Sequence, residues 1–579
     1  MRRAFEPGER IAGEFGRAMQ ALHRRLGGRA DEAGLLGDWA TQAWRAADAG
    51  HVCVDVPDPD VRAVLAASPL VGPGERVRPL VLDHGALYLH RLWSAEVSLA
   101  RNVRALDVRA PLADDAALAA AIARVFDSGD AADAQQRALA CALGRRLTVL
   151  TGGPGTGKTT TLARLLVVFA RLVPAARIVF AAPTGKAAAR LAQSLSAQLS
   201  VLDPSGALRA CLPTAGLTVH RLLGARVDTR RAASLPLLDH DLVIVDEASM
   251  LDIELAARLF ESIAPTSRLV LAGDRDQLAS VEAGAVFADL CSASLGGVVV
   301  LGRNYRQQDA PDIGAFAASV REAAAATSTA ATPATGATGP AAATAGPSGA
   351  TPGIEWPPSI ALADPVPAAI VDHALEAWRD ALAAVARGAA PGEVLAALDR
   401  HRVLVAMRQG RVGTEALNDA IAMHVRRRCA AGSAATWYPG RLVMVTRNEP
   451  GLGLFNGDVG VCLPHPQREA DGDLVVAFES GDGVRLFPVL QMPACEDAWA
   501  MTVHKAQGSE FESVALVPAP VGHSLNTREL AYTGITRARS RLAIWGSREA
   551  IEEAARSPTR RHGRLAERLG ERPRGEGVG

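Results

Sequence analysis

A chain of 579 residues is too long for one hydrophobic core and implies about three to five domains. With 49% hydrophobic and 21% charged residues it has the composition of an ordinary soluble globular protein, and 62 basic against 62 acidic residues give no global attraction to nucleic acid, so any such binding must come from a local groove. The seven cysteines are scattered without C-x-x-C pairs, which argues against zinc, iron–sulfur and disulfide frameworks and for a reduced cytoplasm, while residues 1–20 lack the apolar core of a signal peptide and no uncharged run reaches membrane-spanning length.

In chain order, residues 1–130 carry helical periodicity (Phe15, Met19, Leu22, Leu26) and then short apolar runs at 51–54, 79–82 and 87–89. Nothing in this stretch looks catalytic, and it reads as an accessory or partner-docking domain. Residues 131–143 read as a helix with Gln135 near its start.

An apolar run at 147–150 leads into Thr151-Gly152-Gly153-Pro154-Gly155-Thr156-Gly157-Lys158-Thr159-Thr160, after which Leu162, Leu165, Leu166 and Phe169 repeat at helical spacing. Strand, glycine-rich turn and helix in that order fit the phosphate loop G-x-x-x-x-G-K-[ST]. In such a loop backbone N–H groups at a helix N-terminus cradle phosphates, the lysine reaches the terminal phosphates and the hydroxyl holds Mg²⁺. Gly152, Gly157, Lys158 and Thr159 fill the fixed positions. A glycine-rich turn made only for folding needs neither the lysine nor the threonine, so the segment predicts nucleoside-triphosphate binding. The lysine census agrees: the chain has only Lys158, Lys186 and Lys505, and its other basic residues are arginine. A lysine kept in so arginine-rich a chain suggests a position that needs a compact ammonium.

Beyond the loop, apolar runs at 178–182, 242–245, 269–272 and 298–301 alternate with helical patterns, which implies a parallel sheet of the α/β class with ligand groups at the strand ends. Asp246-Glu247 follows the second run, the pattern of a carboxylate that holds Mg²⁺ beside one that orients or deprotonates the attacking water. Gln277, in Gly273-Asp274-Arg275-Asp276-Gln277-Leu278, follows the third and is placed to sense either the γ-phosphate or its water. Lys186 lies in the segment after the first.

The ordered set 152–159, 182–191, 218–223, 245–250, 273–278, Asn304-Tyr305-Arg306, 502–511 and 532–538 resembles the motifs of superfamily 1 DNA helicases, in the manner of the RecD family, the α subunit of exodeoxyribonuclease V. Eight motifs in order, across about residues 131–550, make the resemblance specific. It implies two RecA-like parallel-sheet motor lobes with ATP and Mg²⁺ between them. It further implies that Gln135 reads adenine, Tyr305 stacks on it and Glu510 meets the ribose, while Arg306 and Arg537 clamp the γ-phosphate. Thr159 and Asp246 would hold Mg²⁺. Thr184, Lys186, Thr218, His220, Thr502 and His504 would lie along single-stranded DNA, although His220 reads equally as a packing residue. Polarity 5′ to 3′ and assembly with RecB and RecC at duplex DNA ends are implied by the same resemblance.

The expected domain plan is an accessory domain over 1–130, a first motor lobe over 131–322 with a small insertion near 224–240, and a second lobe over 356–436 and 493–550. Residues 323–355 are poor in large apolar and charged side chains and read as a disordered insert. Short strands joined by Asn-Gly and Gly-Asp turns over 437–492 predict a small antiparallel barrel, which the resemblance casts as SH3-like. Residues 551–579 are expected to fray. Two rival readings stand beside the helicase subunit: a self-sufficient RecD-like helicase and a nucleotide-gated scaffold that does not translocate. No carboxylate cluster is left over for DNA cleavage.

Overall fold

The computed structural model describes residues 7–72, 77–126, 133–203, 205–206, 208, 212–213, 215–224, 236–303, 310–328, 353–357, 367–429, 435–449, 451–466, 473–480 and 483–570. Their strands fall into four sheets. Near the N-terminus, β1 (Cys53–Asp55), β2 (Val71–Gly72), β3 (Leu80–Asp83) and β4 (Ala86–Leu89) pair in the order β1-β4-β3-β2. The next sheet holds β5 (Leu147–Thr151), β6 (Ile178–Ala182), β7 (Leu217–Thr218), β8 (Leu242–Val245), β9 (Arg268–Gly273) and β10 (Val298–Val300). It is wholly parallel, in the order β10-β5-β9-β8-β6-β7.

Helices cover both faces of that sheet, so its strands are largely apolar and their side chains divide by parity. Leu150, Leu242, Ile244 and Val270 enter one core with the helix Lys158–Leu172. Val149, Val243, Val245 and Leu271 enter the other, which also contains Leu36, Leu80, Tyr88 and Leu99. The N-terminal domain is therefore continuous with the first motor lobe through one shared core.

The second lobe is built on β11 (Ile354–Glu355), β12 (His401–Val405), β18 (Ala500–Thr502), β19 (Phe511–Val517) and β20 (Ala538–Ile544), parallel in the order β11-β20-β19-β12-β18. Residues 368–386 form two helices, Ala368–Ala377 and Arg379–Ala386. The break falls at Trp378, whose buried indole donates to the carbonyls of Leu398 (3.3 Å) and His401 (3.2 Å). Between β12 and β18 the chain inserts β13 (Leu442–Val445), β14 (Val459–Pro464), β15 (Leu474–Ser480), β16 (Gly483–Pro488) and β17 (Cys495–Asp497), an antiparallel sheet in the order β16-β15-β14-β13-β17. Strand alternation splits it between two cores: Leu442 and Met444 face the second lobe, while Val443 and Val445 meet Leu454, Phe478 and Phe487. Its end strands β16 and β17 do not pair among the described residues, so the pairings show a five-stranded antiparallel sheet at the place where a small antiparallel barrel was expected. A loop of this insert touches the first lobe, since a Cβ on Gly185 would stand 2.7 Å from the Phe455 ring.

Two boundaries differ from those expected. The helix Pro311–Ser328 buries Ile313, Ala317 and Val320 in the core of the second lobe, so that lobe begins before residue 322 and the helix takes in the first residues of the low-complexity stretch. Alanine's high helix propensity explains the extension over 323–326; most of the expected insert (329–352) and most of the expected small insertion (225–235) lie outside the described residues. At the C-terminus, residues 551–570 are ordered where fraying was expected. The helix Arg548–Arg556 leads into a strap that crosses to the N-terminal domain and ends in the helix Leu565–Gly570. There Leu565 is buried, and Arg568 pairs with Asp83 (2.5 Å) and Glu96 (3.0 Å). Halfway along, Arg561 donates to the carbonyls of Ser280 (3.0 Å) and Ala49 (3.3 Å). Residues 571–579 are outside the described set.

Candidate nucleotide and nucleic-acid site

The phosphate loop turns between β5 and the helix Lys158–Leu172. Gly155 and Gly157 take φ of +78° and +82°, left-handed values that glycine adopts without steric cost. The Thr156 hydroxyl closes the turn on the Gly153 carbonyl (2.8 Å), and the Lys158 ammonium donates to the carbonyls of Gly152 (2.6 Å) and Gly153 (3.1 Å).

A cavity of about 600 Å³ opens in front of this loop. The first lobe contributes Gln135, Pro154, Gly155, Gly157, Lys158, Thr159 and Thr160 to its wall, together with Asp246, Glu247 and Gln277. The second lobe contributes Glu510 and Arg537. Gly152, Gly153 and Thr156 face a separate cavity behind the loop, of about 510 Å³, with Asp274 and Tyr532. Tyr305 and Arg306 lie outside the described residues.

Asp246 and Glu247 follow β8. Glu247 has φ of +51°, rare for a residue with a Cβ and worth about 1–3 kcal/mol of strain, and its N–H donates to Asp246 Oδ1 (2.9 Å). Burial pushes both carboxyls above the usual carboxylate range. Asp246 pushes Glu247 further up, while Lys158 opposes both shifts. A divalent cation would relieve that crowding. A hydroxyl (Thr159) and a carboxylate (Asp246) on one wall form an oxygen-only donor set suited to Mg²⁺.

Three arrangements here were not read from the sequence. Arg164, six residues after Lys158 on the same helix, donates to Gln135 Oε1 (2.7 Å). Glu510 is held by Arg190 and Arg539, each at 3.3 Å, so two arginines stand beside the carboxylate expected to meet the ribose. Arg190 lies inside a quoted motif and Arg539 directly after one, where the arginine-rich composition hid them. Arg537 is 2% exposed and donates to the carbonyls of Thr533 (3.1 Å) and Ser509 (3.0 Å). The lobes also join by polar contacts: the Leu278 N–H donates to the Thr533 hydroxyl (3.0 Å), and Gln507 donates to the Leu278 carbonyl (2.9 Å).

The residues expected along DNA sit at C-terminal ends of parallel strands. Thr184 follows β6 and caps the helix Gly185–Leu202; Thr218 ends β7 and caps Val219–Leu222, placing His220 on the exposed surface. Thr502 ends β18 and accepts from the Lys505 N–H (3.3 Å). His504 is partly buried, which with Arg561 lowers its pKa and favours the neutral imidazole. Lys186 faces a third cavity, of about 510 Å³, shared with Asp399, Asp458 and Phe455 of the second lobe and its insert. Burial there lowers its pKa, opposed by the two aspartates. Lys505 pairs with Glu496.

A phosphate loop with an acidic pair on one parallel α/β lobe, facing an arginine from a second such lobe, defines a two-lobed motor ATPase of the helicase class. Residues 131–339 match the AAA domain family and residues 497–545 the UvrD-like helicase C-terminal domain family. The RecBCD enzyme subunit RecD of Mycolicibacterium smegmatis is 37% identical over 567 residues, covering 92% of this chain and 93% of that protein. The chain belongs to the RecD family. The RecD subunit of Haemophilus influenzae is 29% identical, covering 86% of this chain and 82% of that one. The ATP-dependent RecD2 DNA helicase of Deinococcus radiodurans is 31% identical, covering 84% of this chain but 59% of that protein. Among solved structures, a Pif1 helicase chain from a study of unwinding at forked duplex DNA aligns with a TM-score of 0.39 at 16% identity, covering 74% of this chain and 94% of that one.

Proposed function

We propose that this chain is the ATP-driven DNA helicase subunit of a RecB–RecC–RecD assembly acting at double-strand breaks in recombinational repair, translocating 5′ to 3′ along single-stranded DNA. The observation that carries this reading is the shared cavity, in which Lys158, Asp246 and Glu247 of one lobe face Arg537 of the other. Hydrolysis that needs groups from both lobes couples the state of the nucleotide to the angle between them. In this reading the loop amides and Lys158 bind the β- and γ-phosphates, and Thr159 and Asp246 hold Mg²⁺, which supplies charge neutralisation at the phosphates. Glu247 takes a proton from the attacking water, and Arg306 and Arg537 stabilise charge on the γ-phosphoryl group. Gln135 and Tyr305 recognise the base and Glu510 the ribose. Thr184, Lys186, Thr218, His220, Thr502 and His504 grip the strand. The inserted antiparallel sheet serves as an SH3-like element beside that path.

The relatives support the subunit reading over a self-sufficient helicase, since the alignment runs over 93% of the mycobacterial RecD and 59% of the RecD2 protein. A scaffold that only binds nucleotide has no use for Glu247 and Arg537 on one cavity wall. We assign DNA cleavage to a partner: among the described residues no group of three or more His, Cys, Asp or Glu is arranged to hold a metal ion. A cytoplasmic location fits the scattered thiols, and no described helix is long and apolar enough to cross a membrane. Co-purification with RecB and RecC, then unwinding assays on 5′- and 3′-tailed duplexes, test the proposal. Unwinding from 5′ tails, abolished by Lys158→Ala, is expected; preference for 3′ tails or failure to associate refutes polarity or partnership respectively.

A further inference from the structure

We propose that Asp274, gripped from the second lobe by Tyr532, is a positioning residue that turns the Gln277 carboxamide so that its oxygen receives the attacking water. The proposal rests on the ATPase reading of the cavity. Asp274 is 2% exposed, and its Oδ2 accepts from Gln277 Nε2 (3.0 Å) and from the Tyr532 hydroxyl (3.1 Å). Its Oδ1 accepts from the Asp276 N–H (3.0 Å). A carboxylate only accepts hydrogen bonds, so it fixes which end of the amide faces it. One N–H of Gln277 is given to Asp274, which holds the amide nitrogen on that side and leaves Oε1 as the unpartnered acceptor. Gln277 is 6% exposed and lines the nucleotide cavity, and its Oε1 has no hydrogen-bond partner among the described residues. A buried acceptor left unsatisfied costs about 1–3 kcal/mol, so a ligand that donates to it is favoured.

The unpartnered Oε1 points to the water rather than the γ-phosphate as its ligand. The oxygens of a γ-phosphate are anionic acceptors, which an amide oxygen repels. A water molecule has two O–H bonds to give. One proton passes to the Glu247 carboxylate while the other O–H is held by Gln277 Oε1. The electron pair freed on the water oxygen forms the bond to the γ-phosphorus. The bond from that phosphorus to the bridging oxygen breaks, and its pair leaves with ADP.

Tyr532 makes the arrangement depend on the lobes. It lies on the helix Arg528–Ile535 of the second lobe, and its hydroxyl also abuts the phosphate loop, 2.9 Å from where a Cβ on Gly153 would stand. Burial and the nearby Asp274 push its phenol far above the usual range, so it remains a donor at any working pH. Separation of the lobes withdraws this donor from Asp274 and frees the carboxylate that orients Gln277.

The test uses the full chain with single-stranded DNA, reading steady-state ATPase and the affinity for a fluorescent ATP analogue. Tyr532→Phe removes only the hydroxyl and is expected to lower the DNA-stimulated kcat about 10-fold, with KM and analogue affinity within about 2-fold of wild type. Asp274→Asn can present its own NH₂, which turns the Gln277 amide around, and is expected to lower kcat about 100-fold at unchanged analogue affinity. The double variant should be no slower than Asp274→Asn alone, because both act through one carboxamide. Unchanged kcat in Tyr532→Phe, a raised KM with kcat intact, or losses that multiply in the double variant would each overturn the proposal. A wild-type chain that neither binds the analogue nor hydrolyses ATP would instead overturn the ATPase reading.

Discussion

Arg568→Ala tests whether the C-terminal strap holds the molecule together. The guanidinium lies in a nearly closed site, 11% exposed, between Asp83 and the fully buried Glu96. Burial disfavours its charge, but the hydrogen bonds it donates to Asp83 and Glu96, with the Glu96 charge, outweigh that and hold it protonated. Removing one member of a buried pair costs about 3–5 kcal/mol because the remaining charge is stranded. Here Glu96 would keep two donors, the Arg564 N–H (2.7 Å) and the Tyr88 hydroxyl (3.2 Å), which reduces the expected loss to about 2–3 kcal/mol. For a cooperative unit of about 150–250 residues that is a fall of about 4–12 °C in Tm, read by thermal unfolding. Adding Glu96→Gln removes the stranded charge, keeps one oxygen to accept from the Arg564 N–H and offers its NH₂ to the Tyr88 hydroxyl, which can accept, and should restore about half of the loss. The pH dependence has a definite sign. Burial raises the Asp83 pKa, but the hydrogen bonds from Arg568 and Trp93 together with the Arg568 charge outweigh it and leave the group below its ordinary value, so its contribution is present above about pH 4 and lost as pH falls through the folded value. The Arg568→Ala penalty should therefore shrink in acid. A variant that melts within about 1 °C of wild type at neutral pH would refute the reasoning.

Lys158→Arg should abolish ATP turnover although charge is kept, because the ammonium sits 2.6 Å from the Gly152 carbonyl in a loop too tight for a planar guanidinium; near-normal DNA-stimulated ATPase would contradict it. Glu247→Gln should bind ATP and DNA but turn over at least about 100-fold slower. Because the general base must be ionised, wild-type kcat should fall in acid as Glu247 takes up a proton, and the variant should lack this limb. Replacing residues 329–352 with a short Gly-Ser linker between Ser328 and Gly353 should leave ATPase and unwinding rates unchanged; lost processivity or partner binding would give that segment a function.

The motor was legible because its chemistry is local. Lys158 and Thr159 sit at fixed offsets from Gly152, and Asp246 and Gln277 each follow a fully buried parallel strand, so a linear reading picks out residues that line one cavity. Contacts made across long stretches of chain left no such trace. Nothing in the sequence pairs Arg568 with Glu96, 472 residues away, or Tyr532 with Asp274, 258 residues away. Composition misled at the C-terminus, where an Arg- and Glu-rich run looked like a solvated tail, yet its Leu565 and Arg568 are buried against the N-terminal domain. Charge density alone does not separate a solvated face from one that meets complementary charge. The break between two helices at Trp378 left no trace in the apolar spacing, which does not register a large indole that turns inward to its hydrogen-bond acceptors.

The strap also has a mechanical meaning. The chain enters the second lobe between Leu301 and Pro311 and leaves it after Arg556, on the way to the pin that Arg561 makes with Ser280 and Ala49. A body fastened to another at two separate points keeps one easy motion, rotation about the line that joins them, whereas sliding and twisting would stretch one fastening or the other. Because the N-terminal domain and the first lobe share one core, both fastenings are made to the same rigid body. The molecule is thus built as a door on two hinges, with the nucleotide between door and frame.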